Sequence, residues 1–363
     1  MKRRGNLFSS VVALDNLRRA HQNARRSKTH YQAVQMVDAD PDRYLLQLQQ
    51  DLIDHTFTTA PYSQKTIYEP KQRIIYKLPY YPDRIVHHAV MQVMQPIWDK
   101  QFIFDLYSAI PGKGLHAGSY RLREFLRDQE NTRYCLKFDI SKFYPSIVPE
   151  KLYEIVCRTV KDPGMLWLLA DVIFSTPDGG VPIGNYLSQY FSNLYLTPFD
   201  HWIKETLGLK YYIRYCDDGV ILHADRTRLK EIQVEIAEYL NPLGLTLNRK
   251  TSIFPVDRCG VDFLGYRCFR THTLLRASSA RRFKKKVRQI EKNYRLMNPA
   301  AVLGSTGAYY GWLKHCDAYN LARTYLYENS SLRTAVEHAS EKGGISCPNW
   351  LEAPSSRQRS VSM

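Results

Sequence analysis

Apolar residues recur at helical spacing along much of the chain, and short continuous apolar runs interrupt them. Val11, Leu14 and Leu17 predict a helix within the first thirty residues. Leu45, Leu48 and Leu52 predict a second over residues 41–55. Residues 62–79 read as strand, with Ile67, Ile74 and Ile75 set among aromatics. Pro82 and Asp83 then open a helix running through Val86, Val90 and Val93. Three β-type runs follow at 134–140, 211–213 and 219–222, with helical patterns at 150–160, 188–207 and 227–240. One more strand is expected over 261–269. Strands drawn from distant segments and separated by helices predict an α+β fold.

Composition changes after that last strand. Residues 276–295 hold nine basic side chains and one acid, Glu291. Phe283, Val287, Ile290 and Tyr294 recur there at helical spacing, which predicts a helix with one packed face and a cationic remainder. The first thirty residues are basic too, with eight Lys or Arg against Asp15. Such faces are ordinarily just solvated. A net charge of +16 tips the reading toward a polyanionic partner, because counterion release favours phosphate backbones on basic surfaces. Nowhere do eighteen apolar residues run together, so neither a membrane-spanning helix nor a membrane partner is expected. The basic start, Lys2-Arg3-Arg4, lacks the apolar run and cleavage site of a secretion signal. Seven cysteines without close pairs argue against a disulfide framework or a zinc site and point to a reduced, cytoplasmic setting. Residues 352–363 are rich in Ser and Arg and are expected to be disordered.

The candidate chemistry lies in two places. Between Tyr211 and Leu222, Asp217 and Asp218 interrupt two apolar runs, which predicts a tight hairpin with a carboxylate doublet at its tip. Adjacent carboxylates repel unless a cation is near, although a doublet alone is more often a solvent-facing turn. The second place is Leu136-Lys137-Phe138-Asp139-Ile140, where Asp139 ends a β-type run. Alone, such an acid is usually a helix cap. Together the three carboxylates could hold two Mg²⁺ ions roughly 3.5–4 Å apart, an arrangement suited to in-line nucleotidyl transfer.

Asp139 in its Phe-Asp-Ile setting and Tyr215-Cys216-Asp217-Asp218 resemble the two metal-binding motifs of reverse transcriptases. Arg73 through Asp83-Arg84-Ile85-Val86 resembles the fingers motif, and Ser108-Ala109-Ile110-Pro111-Gly112-Lys113-Gly114 the next block. Asn248-Arg249-Lys250-Thr251 and Phe263-Leu264-Gly265-Tyr266 resemble the last two palm blocks. The resemblance implies a right-hand polymerase. Its parts would be a basic helical extension over 1–60, fingers and an antiparallel-sheet palm over 61–275, a helical thumb over 276–335 and a tail over 336–363. It implies an RNA-directed DNA polymerase acting on template RNA, cDNA and deoxynucleoside triphosphates.

The same resemblance implies metal binding by Asp139, Asp217, Asp218 and the backbone carbonyl of Ile140. It implies triphosphate contacts from Lys71 and Arg73, and a sugar contact from Tyr144. Ile183 and Gly184 would face the nucleotide, and Lys250 would protonate the leaving pyrophosphate. Template and primer contacts are expected from Gln189 and from Arg281, Arg282, Lys284, Lys285 and Lys286.

One motif departs from the broader family. Most reverse transcriptases carry Gln-Gly followed by Ser-Pro, where this chain has Ile183-Gly184 and Ser188-Gln189. That form resembles the reverse transcriptases of diversity-generating retroelements, as do Asp15-Asn16-Leu17-Arg18-Arg19-Ala20 and Glu69-Pro70-Lys71-Gln72-Arg73. The narrower resemblance implies copying of a template-repeat RNA with errors opposite adenines, diversification of a target gene, and a bacterial or phage origin. It also implies a small basic multimeric accessory protein as partner. Isoleucine lacks the hydrogen bonds of glutamine, and a site with fewer polar restraints rejects wrong substrates by smaller factors. Two rival readings stay open: a phage-defence polymerase, and a non-catalytic maturase-like RNA scaffold.

Overall fold

The structure, a computed structural model, describes residues 3–68, 72–344 and 346–349. The chain divides into two compact units, one comprising the segment up to Gly114 with Leu136–Ile253, the other Leu115–Cys135 with Phe254 onward.

The first unit holds a two-stranded ribbon and most of a four-stranded sheet. β1 (Ser63–Ile67) and β2 (Arg73–Lys77) form an antiparallel ribbon in which Ile67 faces Arg73. The larger sheet takes β3 (Tyr134–Asp139), β4 (Tyr212–Tyr215), β5 (Asp218–His223) and β6 (Ser252–Pro255) in the order β4-β5-β3-β6. β4 and β5 are a hairpin, whereas β3 arrives from some seventy residues earlier and lies beside β5. Phe138 of β3 is buried, stacks parallel to Tyr212 of β4 and meets Phe199 edge-on. The strands therefore cohere through an aromatic layer as well as through their backbone ladder.

The N-terminal helices belong to this unit's core. Leu14–Ala24 packs on Ile85–Trp98, and the buried Asn16 side chain donates to the carbonyls of Val11 and Ala89. Leu17, Leu45, Leu48 and Leu52 are fully buried, each worth about 1.5–3 kcal/mol relative to exposure. The described helices before residue 60 thus pack within the first unit.

The second unit carries the antiparallel meander β7 (Val261–Phe263), β8 (Tyr266–Cys268) and β9 (Thr273–Leu275). The single strand expected over 261–269 folds back on itself at Leu264-Gly265, both at positive φ (50° and 85°). Two left-handed residues make a tight hairpin loop whose twist suits the flanking strands. Leucine at the first position gives no turn signal, so Gly265 is the one mark the bend leaves in the sequence. Gly265 is required: a Cβ there would lie 2.4 Å from Cζ3 of Trp312. The basic helix forms over Ala277–Asn293, burying Phe283, Val287 and Ile290 as the spacing predicted. The last helix, Ser330–Gly343, runs across the expected boundary at 335, and the expected disordered end at 352–363 lies outside the described residues.

Other differences have local causes. The helix expected over 188–207 is broken at Leu196 into Tyr186–Tyr195 and Thr197–His201, because Pro198 donates no backbone hydrogen bond. Pro163–Phe174 forms a helix that no periodicity announces, because it is apolar almost all round. No helix among the described residues is long and apolar enough to cross a membrane. None of the seven cysteines, all among the described residues, forms a disulfide.

Candidate active site

The β4–β5 hairpin turns at Cys216-Asp217, with Tyr215 facing Asp218 across the ladder. Cys216 sits at φ 57°, a left-handed conformation uncommon outside glycine. Its N–H donates to Ser108 Oγ (2.9 Å), and Ser108 is in turn held by the buried Asn193, whose Nδ2 donates to its carbonyl (2.9 Å). One step into β5, Gly219 leaves room for Phe138: a Cβ there would lie 2.2 Å from Phe138 Cζ. Gly219→Ala is therefore expected to destabilise the first unit by about 1–3 kcal/mol through overpacking. Chemical denaturation of the variant beside the parent protein checks this.

Asp139 reaches the same place from β3. The Ile140 N–H donates to the Asp217 carbonyl (3.1 Å), so the end of β3 is stitched to the hairpin turn. Asn248 braces Asp139 twice, through its backbone N–H to the Asp139 carbonyl (2.7 Å) and through Nδ2 to Oδ2 (2.9 Å). Burial, then the charge of Asp139 and to a lesser degree that of Asp218, push the Asp217 carboxyl up to about 6. Asp139 thus acts on Asp217 more strongly than its own chain neighbour does. Two carboxylates converge, with the third adjacent. Among the described residues, no three His, Cys, Asp or Glu side chains form a group that could hold a metal ion by themselves. A pair of mutually repelling oxygen donors nevertheless fits a hard divalent cation whose remaining ligands come from substrate phosphates and water.

The Ile183-Gly184 motif sits against β2. The Ile183 carbonyl accepts from the Tyr76 N–H (2.8 Å). Gly184, at φ 121°, lies so close that a Cβ would be 2.7 Å from the Tyr76 carbonyl oxygen. The structure thus joins Ile183-Gly184 to the strand that begins with the exposed Arg73. Val181 N–H donates to the Tyr144 carbonyl (2.9 Å), which ties the same motif to the turn after Asp139. The Tyr144 hydroxyl, largely buried, meets Cys216 Sγ (3.6 Å) and Ser192 Oγ (3.4 Å).

The profile of the reverse transcriptase (RNA-dependent DNA polymerase) family matches residues 64–268. The chain belongs to the reverse transcriptase family. The enzyme domain it carries is that of an RNA-directed DNA polymerase. Escherichia coli (strain K12) Protein YkfC is similar, at 26% identity over 257 residues that cover 58% of this chain and 68% of that protein. Among solved structures, telomerase from Candida albicans in complex with a TWJ fragment of telomeric RNA matches with a TM-score of 0.51 at 15% identity. That match covers 78% of this chain and 55% of the telomerase chain. Apo telomerase from Candida tropicalis matches with a TM-score of 0.47 at 13% identity, over 79% of this chain and 59% of the other. The chain thus spans little more than half the length of these telomerases. Mixed helices and antiparallel sheets of this kind are the α+β fold of a right-hand polymerase.

The other residues expected at the site differ in their exposure. Lys71 lies outside the described residues. Lys250 is exposed, its backbone N–H capped by Asn248 Oδ1 (3.1 Å). Gln189 is exposed on the Tyr186–Tyr195 helix. In the second unit, Arg281, Arg282 and Lys285 are exposed, but Lys284 and Lys286 are half-buried and the Lys284 ammonium lies 5.3 Å from the Tyr325 ring centre. The exposed stripe runs instead through Arg281, Lys285, Arg288 and Lys292 at spacings of four, three and four, along one helix face. That spacing is itself a sequence signal, and it adds Arg288 and Lys292 to the expected set. Ser108, Asn193 and Asn248 act through hydrogen bonds that no sequence period announces.

Proposed function

We propose that this chain is the polymerase of a diversity-generating retroelement, copying a template-repeat RNA into cDNA with errors concentrated at template adenines. The observation that carries the reading is the placement of Ile183-Gly184. An apolar side chain stands on a loop bonded to the strand that bears Arg73, where the broader family has glutamine.

Asp139 and Asp217 would hold Mg²⁺, with Asp218 and the Ile140 carbonyl completing the protein's share. Bound metal would supply charge stabilisation at the attacking and leaving oxygens of an in-line displacement. Asn248 orients Asp139, and Arg73 would contact the incoming triphosphate, its planar fork matching phosphate oxygens. Tyr144 would pack against the sugar, and Lys250 would give a proton to pyrophosphate. The stripe on the Ala277–Asn293 helix would grip the template–primer backbone, together with Gln189. A cytoplasmic setting in a bacterium or phage and a small basic accessory protein belong to the same reading.

Sequencing cDNA made by the wild-type protein and by Ile183→Gln, each with its own template RNA and accessory protein, tests this. Adenine-biased substitutions are expected from the wild type. Glutamine should restore a polar restraint beside the nucleotide and lower the adenine error rate about fivefold, the factor that one hydrogen bond commonly confers. Errors spread evenly over four template bases would leave a reverse transcriptase without this role.

A further inference from the structure

Behind the hairpin lies a charged pair with no contact with solvent. Arg214 and Asp200 are both fully buried, on β4 and on the Thr197–His201 helix. Nε and Nη2 of the guanidinium donate to Asp200 Oδ1 (2.7 Å) and Oδ2 (2.5 Å), and the Tyr212 hydroxyl donates to Oδ1 as well (2.7 Å). One more donor, Nη1, reaches forward to the carbonyl of Cys216 (2.7 Å). The Arg214 backbone is itself fixed, its N–H donating to the Asp105 carbonyl and its own carbonyl accepting from Tyr107.

The third bond falls at a telling place. The Cys216 carbonyl belongs to the peptide that joins Cys216 to Asp217. The carbonyl on the other side of Asp217 accepts from Ile140. Both peptide planes flanking Asp217 are thereby pinned, one by Arg214 and one by the end of β3. Cys216 needs such pinning, because a non-glycine residue at φ 57° is held there only when its surroundings over-determine it. Buried ion pairs are often no better for stability than apolar residues of similar volume. The pair's contribution should therefore be sought in geometry.

We infer that the Arg214–Asp200 pair is a positioning device that aims the Asp217 carboxylate by holding the Cys216–Asp217 peptide. Asp200 orients the guanidinium, and the guanidinium orients the turn. This rests on the proposed role of Asp217 as a metal-holding carboxylate.

The test separates aim from fold. Asp200→Leu/Tyr212→Phe/Arg214→Met removes all partners together, leaves no orphaned buried charge and keeps the volume apolar, so it is expected to melt close to the wild type. The nucleotide KM and template affinity should stay unchanged while kcat falls about 100-fold, as a misplacement near 1 Å can cause. In the absence of substrate, the rise in melting temperature produced by MgCl₂ should shrink, since a misaimed carboxylate binds the cation more weakly. Arg214→Lys answers the same question should the triple variant fail to fold. An ammonium keeps the ion pair but cannot span Asp200 and the Cys216 carbonyl in one planar fork. It should show the same split between kcat and KM. A folded triple variant or a folded Arg214→Lys with wild-type kcat would overturn the inference. Activity that survives Asp217→Asn, assayed alongside, would instead overturn the metal-site reading beneath it.

Discussion

Asp217→Asn should reduce Mg²⁺-dependent deoxynucleotide incorporation by roughly a thousand-fold or more, the scale on which loss of a preorganised transition-state group is felt. The variant should also remain folded. Asp217 is raised to about 6 by burial and by the charge of Asp139, so its ionised form is disfavoured in the folded chain. A carboxyl whose folded pKa lies above its unfolded value destabilises the fold once pH exceeds the unfolded value. Near pH 7 and without divalent cations, asparagine removes that unfavourable charge. The melting temperature of Asp217→Asn in chelator should thus equal or exceed that of the wild type, and RNA binding should persist. Primer extension together with thermal unfolding checks both halves. Incorporation near the wild-type rate by the folded variant would end the metal assignment.

Arg281→Gln/Lys285→Gln/Arg288→Gln should weaken template–primer binding and flatten its salt dependence. These three residues are exposed along one face of the Ala277–Asn293 helix, opposite the packed Phe283, Val287 and Ile290. Removing one cation from a phosphate lowers the slope of log affinity against log salt by roughly 0.7–0.9, so the triple change should lower it by about 2–3. Lys284→Gln/Lys286→Gln, which removes two charges, is the comparison. Both are half-buried and Lys284 lies near Tyr325, so this pair should move the slope by less per charge removed. An equal effect per charge removed in the two sets would mean that total charge, and not the stripe, governs binding. Affinities measured across a salt series decide between these outcomes.

The sequence carried the fold where a period was present. Leu45, Leu48 and Leu52 marked their helix, and Phe283, Val287 and Ile290 marked theirs, because each set forms one buried face. It failed where geometry depends on single residues. Leu264 turns a strand into a hairpin at positive φ, and Leu196 ends a helix just ahead of Pro198. Within the site, Asp139 and the Asp217-Asp218 doublet were legible as acids at strand ends. Their unequal convergence was not, because it depends on which side chain faces β3. Asn248 and Arg214 lay in plain view as polar residues near known blocks. Their roles come from bonds to groups distant in sequence, Asp139 and Asp200, and spacing alone carries no such information.

The loop bearing Ile183 divides two duties between backbone and side chain. Its attachment to β2 is made by the Ile183 carbonyl and by the bare α-carbon of Gly184. Neither depends on what stands at position 183 beyond its Cα. Residue 183 can therefore be exchanged without dismantling its mount, as a bit is changed in a fixed chuck. If residue 183 faces the nucleotide as proposed, a copying enzyme arranged this way would have an error rate free to drift, tighten or loosen under selection while its architecture stays as it was.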